Sequence, residues 1–190
     1  MPLTSRQYLE HELHLLRHEG TKAVWWHHYL HFKEGVMVAL VDRVRAMGRL
    51  GIWVAMVDHW RMPVGRWSRE LPSGSRDTDR FPGESLNDAA ARELYEETGW
   101  IIKPEALGLL FPGQLYGSIG VAVQPYHVFE GAAGNAEWQE GFTGHDKEET
   151  GQLVLGMHRL EQAVNSIGRE VVEPVTSASL AKLALKYGVT

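Results

Sequence analysis

The residues from Leu86 to Thr98 constrain the fold more than any others in the chain. Leu86, Ala90 and Leu94 recur at four-residue steps and lay an apolar ridge along one face of a helix. Ser85 followed by Asp88 is a capping-box pattern, and Gly99 stands where a left-handed glycine ends a helix. Most of what surrounds this helix reads as strand. Residues 24–32 are aromatic and β-prone, and residues 36–44 and 52–57 are apolar runs of strand length separated by a Gly48/Gly51 turn. Residues 70–74 read as a strand end running into a loop. Further on, residues 107–111, 119–130 and 153–157 read as strands, residues 131–150 as a long exposed loop, and residues 160–167 and 175–187 as helices. Near the start, Leu9, Leu13 and Leu16 are spaced by four and three, which predicts a helix over residues 4–18, stopped by Gly20. Strands around one central helix, with helices at the end, make a mixed α+β arrangement and not a regular βαβ alternation. No strand-to-helix turn carries GxGxxG, which disfavours a dinucleotide-binding fold.

The chemistry concentrates at the end of the central helix, in Arg92-Glu93-Leu94-Tyr95-Glu96-Glu97-Thr98-Gly99-Trp100. Glu96 and Glu97 follow Glu93 by three and four residues, so the three side chains emerge on neighbouring parts of one face. Like charges at that spacing repel by roughly 0.2–0.5 kcal/mol per pair. The last turn is also where the helix dipole disfavours anions. A helix carrying such a set is either fully solvated there or holds a cation. A hard cation such as Mg²⁺ would use these oxygens and keep some of its own waters, and Arg92 would offset part of the charge. Taken alone, an acidic run is more often a solvated face. The surrounding residues tip the balance.

Glu84, seven residues and then Arg92-Glu93-Leu94-Tyr95-Glu96-Glu97-Thr98-Gly99-Trp100 resemble, without a gap, the signature of the Nudix hydrolase family. One position departs. The family has glycine six residues before the first glutamate, and here Thr78 stands there. Gly74, in Glu70-Leu71-Pro72-Ser73-Gly74, is the alternative, at the cost of a four-residue insertion in the loop of residues 75–83. That pentapeptide is similar to the lead-in of the ADP-ribose pyrophosphatase branch. His59-Trp60-Arg61, Gly168-Arg169-Glu170-Val171, Thr176 and Leu180-Ala181 also resemble that branch, so the likeness covers roughly residues 35–187.

The resemblance implies an α/β/α sandwich with a mixed sheet over residues 35–190, preceded by a small helix-and-strand extension over residues 1–34. It implies hydrolysis of the pyrophosphate bond in a nucleoside diphosphate linked to another group. ADP-ribose or a related ADP-sugar is favoured as substrate, with AMP and a sugar phosphate as products and Mg²⁺ or Mn²⁺ as cofactor. Glu93, Glu96 and Glu97 would be metal ligands, joined by the carbonyl of Ser73. Gly74, Glu84, Arg92 and Gly99 would brace the loop and helix. The catalytic candidates are Glu97 and, from a late acidic stretch, Glu149 or Glu148. Arg61 and Arg66 would grip substrate through their planar guanidinium groups. Trp25 would stack on a base, supplied across a homodimer whose N-terminal sheet exchanges between subunits. The alternative is a Nudix-fold nucleotide-binding regulatory module with weak or no catalysis.

Composition narrows the setting. A chain of 190 residues without cysteine has no disulfide framework, thiolate zinc site or cysteine nucleophile, and a reducing cytoplasm suits it best. A formal charge of −5 speaks against nucleic acid as partner. No apolar run reaches membrane-spanning length, and the N-terminus lacks a signal-peptide core. His11, His14 and His18 would share a face of the first helix, but no HExxH pattern accompanies them, so a solvated face is favoured over zinc.

Overall fold

The structure, a computed structural model, describes residues 9–17, 24–46, 49–61, 64–118, 122–142 and 153–189. In chain order the elements are β1 (Leu9–Arg17), β2 (Val24–Phe32), β3 (Gly35–Ala46), β4 (Arg49–Arg61), β5 (Arg66–Glu70), β6 (Ser73–Ser75) and α1 (Leu86–Thr98). There follow β7 (Trp100–Ile102), β8 (Gly108–Leu109), β9 (Leu115–Tyr116), β10 (Ala122–Val123), β11 (Pro125–Ala132), β12 (Ala136–Trp138), β13 (Leu153–Arg159), α2 (Leu160–Asn165) and α3 (Pro174–Tyr187).

The central sheet runs β13-β4-β3-β11-β8, with β5 added to β4, β6 to β3 and β9 to β11. It is mixed: β3 and β11 are parallel and the other pairs antiparallel. Strand β3 explains the layering. Its apolar run is continuous because both faces are covered. Val36, Val38 and Leu40 join Ala89, Ala90, Leu94 and Phe129 in a core under α1. Met37, Ala39 and Val41 join Val54, Met56, Leu160, Leu180 and Leu183 in a second core under α2 and α3. Successive strand side chains point to opposite faces, so one run of residues builds both interiors. The result is the expected α/β/α sandwich. No helix among the described residues is long and apolar enough to cross a membrane.

The N-terminal helix is a correction. The described residues of that segment form β1, paired antiparallel to β2 from Leu9–Phe32 through Arg17–Val24. Leu9, Leu13 and Leu16 fit a helical period, but Leu9, Leu13 and Leu15 fit a strand's period of two equally well, and pairing with β-prone β2 decides. The described residues of the extension are two antiparallel strands, so His11 and His14 share no helical face; His18 lies outside the described residues. Three smaller corrections follow. Gly51 lies inside β4 and not in a turn. The single strand expected over residues 119–130 is two, since β10 pairs with β2 while β11 enters the central sheet. The loop expected over residues 131–150 contains the end of β11 and the whole of β12, which pairs with β7.

Candidate active site

Helix α1 presents the acidic residues, and its ends show why it can. At the N-terminus the Ser85 hydroxyl accepts from Asp88 N–H at 3.1 Å, while the Asp88 carboxylate accepts from Ser85 N–H at 3.0 Å. At the C-terminus Gly99 takes φ 74° and donates its N–H to the Tyr95 carbonyl. That conformation favours glycine, and so does the space: a Cβ there would lie 2.5 Å from Phe142 Cγ.

Arg92 organises the carboxylates. Its Nε donates to Glu84 Oε1 at 2.8 Å. Its Nη1 donates to Glu93 Oε1 at 2.7 Å and to Glu96 Oε2 at 2.9 Å. Its Nη2 donates to the Ser75 carbonyl at 3.0 Å. Burial disfavours the guanidinium charge, but Glu84 and Glu93 outweigh it and hold the pKa above the ordinary arginine value. Glu84 is only 5% exposed and also accepts Asp77 N–H at 2.9 Å, so it ties the preceding loop to the helix. Glu97 accepts Ser73 N–H at 3.0 Å.

Burial pushes the Glu93 carboxyl up to about 7; Arg92 pulls the other way, and Glu96 and Glu84 add repulsion. Gly74 makes this burial possible. A Cβ at Gly74 would lie 2.1 Å from Glu93 Cδ and 2.3 Å from both carboxylate oxygens. Gly74→Ala is therefore expected to destabilise the protein by about 1–3 kcal/mol through overpacking. The control is Gly113→Ala, where a Cβ meets nothing within 4 Å. Thermal unfolding of the two variants checks this.

The Glu93 shift also sets a pH dependence. Its carboxyl titrates near 7 in the folded chain, against an ordinary value of 4.5. The stability from keeping it neutral is complete below the lower value and is lost as pH rises through the upper one. With chelator present, wild-type Tm is expected to fall across that window relative to Glu93→Gln. Parallel Tm profiles would contradict this.

The structure brings together Glu84, Arg92, Glu93, Glu96, Glu97, Ser73 and Gly74. Ser73 meets Glu97 through its N–H. Arg61 and Arg66 are held by other partners. Arg61 Nε donates to Glu70 Oε1 at 2.9 Å and its Nη2 to Oε2; Glu70 is 2% exposed and Arg61 40%. Arg66 is exposed and donates to the Arg169 carbonyl. Trp25 lies in β2, but its side chain, like Glu148 and Glu149, lies outside the described residues. Three contributors were not legible: Glu70 as the partner of Arg61, Phe81 packed under Arg92 at 5.0 Å from guanidinium to ring centre, and Phe142 against Gly99. Glu70 stood in the Glu-Leu-Pro lead-in, which was the available signal.

The candidate cation ligands are the carboxylates of Glu93, Glu96 and Glu97 and the backbone carbonyl of Ser73, all oxygen donors of the kind a hard divalent ion takes. Gly74 leaves the gap that admits one of them. They do not yet converge: Glu93 and Glu96 are turned to Arg92 and Glu97 to Ser73, and among the described residues no three acidic or histidine side chains group closely enough to hold an ion.

Comparison with known proteins places this site in a family. The "Putative nudix hydrolase 2" of Caenorhabditis elegans is 41% identical over 64 residues, 34% of this chain and 26% of that protein, so the chain spans about a quarter of that relative's length. A solved structure described as the crystal structure of ADP compounds hydrolase covers 97% of this chain and 90% of its own, with TM-score 0.69 at 15% identity, a likeness of fold. A model of the NUDIX domain matches residues 31–174, which takes in the central sheet, the Glu-Leu-Pro lead-in and the whole acidic helix, and the chain belongs to that family.

Proposed function

We propose that this chain hydrolyses the pyrophosphate bond of a nucleoside diphosphate linked to another group, with ADP-ribose or a related ADP-sugar as substrate. The products would be AMP and a sugar phosphate. One observation carries the reading: Arg92 holds Glu93 and Glu96 beside side-chain-free Gly74, and Glu97 bonds to neighbouring Ser73, all within a NUDIX domain. Water is a poor nucleophile and pyrophosphate an anion. Mg²⁺ or Mn²⁺ would supply charge neutralisation and a more acidic bound water. Glu93, Glu96, Glu97 and the Ser73 carbonyl would hold the ion, with Glu96 and Glu97 leaving their present partners to do so. Arg92 and Glu84 keep the ligands in place and do not touch substrate. Glu97 is the base candidate among the described residues; Glu148 and Glu149 remain candidates outside them. Arg61, held by buried Glu70, keeps an exposed edge with which to meet an anionic or ribose group. Arg66 is the weaker substrate contact, and Trp25 would stack on the base.

We also propose a homodimer in the cytoplasm. β1 is the outer strand of the β1-β2-β10 sheet, and an edge strand offers backbone groups to a second copy.

A second reading is nucleotide binding without hydrolysis. It draws on the present separation of the carboxylates. A substrate panel separates the two. ADP-ribose, ADP-glucose, GDP-mannose, NADH, FAD, CoA, diadenosine polyphosphates and nucleoside triphosphates would each be incubated with Mg²⁺ or Mn²⁺ and resolved by chromatography. AMP from ADP-sugars is the expected result. Binding without product from any of them would favour the second reading.

A further inference from the structure

The loop of residues 75–83 is four residues longer than the family spacing when Gly74 is taken as the box glycine. A longer loop between two fixed points has more conformations to lose, so its order needs a cause. The cause lies in the corner between β2 and β3. Lys33 Nζ sits 3.0 Å from Asp77 Oδ1 and 2.7 Å from Asp79 Oδ2. Next to it, Arg76 N–H donates to the Glu34 carbonyl at 2.9 Å, and the Arg76 guanidinium lies 2.8 Å from the Glu34 carboxylate. Five charged side chains thus tie the inserted segment to one corner.

From that corner a continuous set of contacts leads to the acidic helix. Asp77 accepts from Arg80 N–H at 3.4 Å and, through its carbonyl, from Phe81 N–H at 2.8 Å, which turns the chain. Asp77 N–H donates to Glu84. The turn places the Phe81 ring between two guanidinium groups, 4.9 Å from Arg80 and 5.0 Å from Arg92. Arg92 in turn holds Glu84, Glu93 and Glu96. Asp77 is 14% exposed at the side chain, so its bond to Lys33 is shielded far better than that of Asp79, which is 82% exposed. The weight therefore falls on the Lys33–Asp77 pair.

We infer that Lys33 and Asp77 are positioning residues for the metal-binding carboxylates, acting through Glu84, Phe81 and Arg92, and that the inserted loop exists in its ordered form to make this connection. The inference rests on the proposed function and deepens it, since it assigns the control of cation affinity to residues outside the box. Groups that orient metal ligands directly are worth about 10–100-fold in affinity. A pair acting through further contacts is expected to be worth less, roughly 3–10-fold.

The test is Mn²⁺ binding by isothermal titration to wild type, Lys33→Met, Lys33→Arg and Asp77→Asn, with Tm recorded for each. Lys33→Met is expected to raise the Mn²⁺ Kd about 3–10-fold, Lys33→Arg to restore most of the loss, and KM for ADP-ribose at saturating Mn²⁺ to stay near wild type. Asp77→Asn keeps an acceptor for the Arg80 N–H and so preserves the turn. It is expected to give the same weakening as Lys33→Met, and it serves if Lys33→Met fails to fold. A lower Tm with an unchanged Mn²⁺ Kd in either variant would overturn the inference and leave the proposed function standing. Absence of Mn²⁺ binding by wild type would instead sink the proposed function and this inference with it.

Discussion

Glu97→Gln is expected to lower turnover of ADP-ribose by about 10²–10⁴-fold while leaving the fold as stable as wild type. The reason is the difference between what Glu97 does for the fold and what its charge does for the site. It accepts a hydrogen bond from Ser73 N–H at 3.0 Å. A glutamine carbonyl oxygen can still accept that bond, though without the carboxylate's charge. The substitution also removes a like charge four residues after Glu93, worth roughly 0.2–0.5 kcal/mol of relief on a helix face. Tm should therefore stay level or rise slightly. Lost instead is the negative oxygen that a divalent cation or a reacting water needs. A site built this way carries charge against the interest of the fold. Measured kcat/KM and Tm together check the claim. Near-wild-type activity would remove Glu97 from the machinery, and a large drop in Tm would make its role structural.

Arg92→Met should have the largest effect on stability. Arg92 is 17% exposed and touches Glu84, Glu93 and Glu96, of which Glu84 is 5% and Glu93 14% exposed. Methionine fills much of the volume but leaves these carboxylates without their cation. Removing one partner of a buried ion pair costs about 3–5 kcal/mol, because the remaining charge stays in a poor dielectric. The loss should depend on pH. Glu93 titrates near 7 even with Arg92 beside it, so in acid it takes a proton and no longer needs a counter-charge. The variant is therefore expected to be least destabilised near pH 5 and most near pH 8. Denaturant unfolding at both pH values measures this. The double variant Glu84→Gln with Arg92→Met should recover part of the loss, since the two residues are directly coupled.

Some of this was legible from the chain alone, for physical reasons that differ by element. Helix α1 was read to its observed ends because cap, ridge and terminal glycine are local signals that agree. Strand β3 was read because burial on both faces leaves an uninterrupted apolar run. β1 differs from the helix expected there because Leu9, Leu13 and Leu16 fit a helical period while Leu9, Leu13 and Leu15 fit a strand's, and the pairing that decides between them is supplied by β2. The division of residues 119–130 into β10 and β11 depends on two different partner strands, and a single sequence carries no trace of that.

Within the site, the motif spacing named the acidic residues, but not their partners. Arg61 reads as a substrate contact in the sequence and is paired with buried Glu70 nine residues later. No motif in the sequence singles out Lys33, which meets Asp77 across 44 positions. The replacement of Thr78 by Gly74 as box glycine was open in the sequence. Contact between Gly74 and Glu93 now supports the Gly74 choice, because any side chain at that position would occupy the space of the carboxylate.

The most direct measurement is the rate of AMP release from ADP-ribose as Mg²⁺ or Mn²⁺ is titrated into chelator-treated wild-type protein. AMP and ribose 5-phosphate should appear only with the cation, saturate with its concentration, and vanish again on adding excess chelator. Release that persists in chelator, or no release from ADP-ribose or any other diphosphate while the cation is bound, would contradict metal-dependent pyrophosphate hydrolysis at the end of α1.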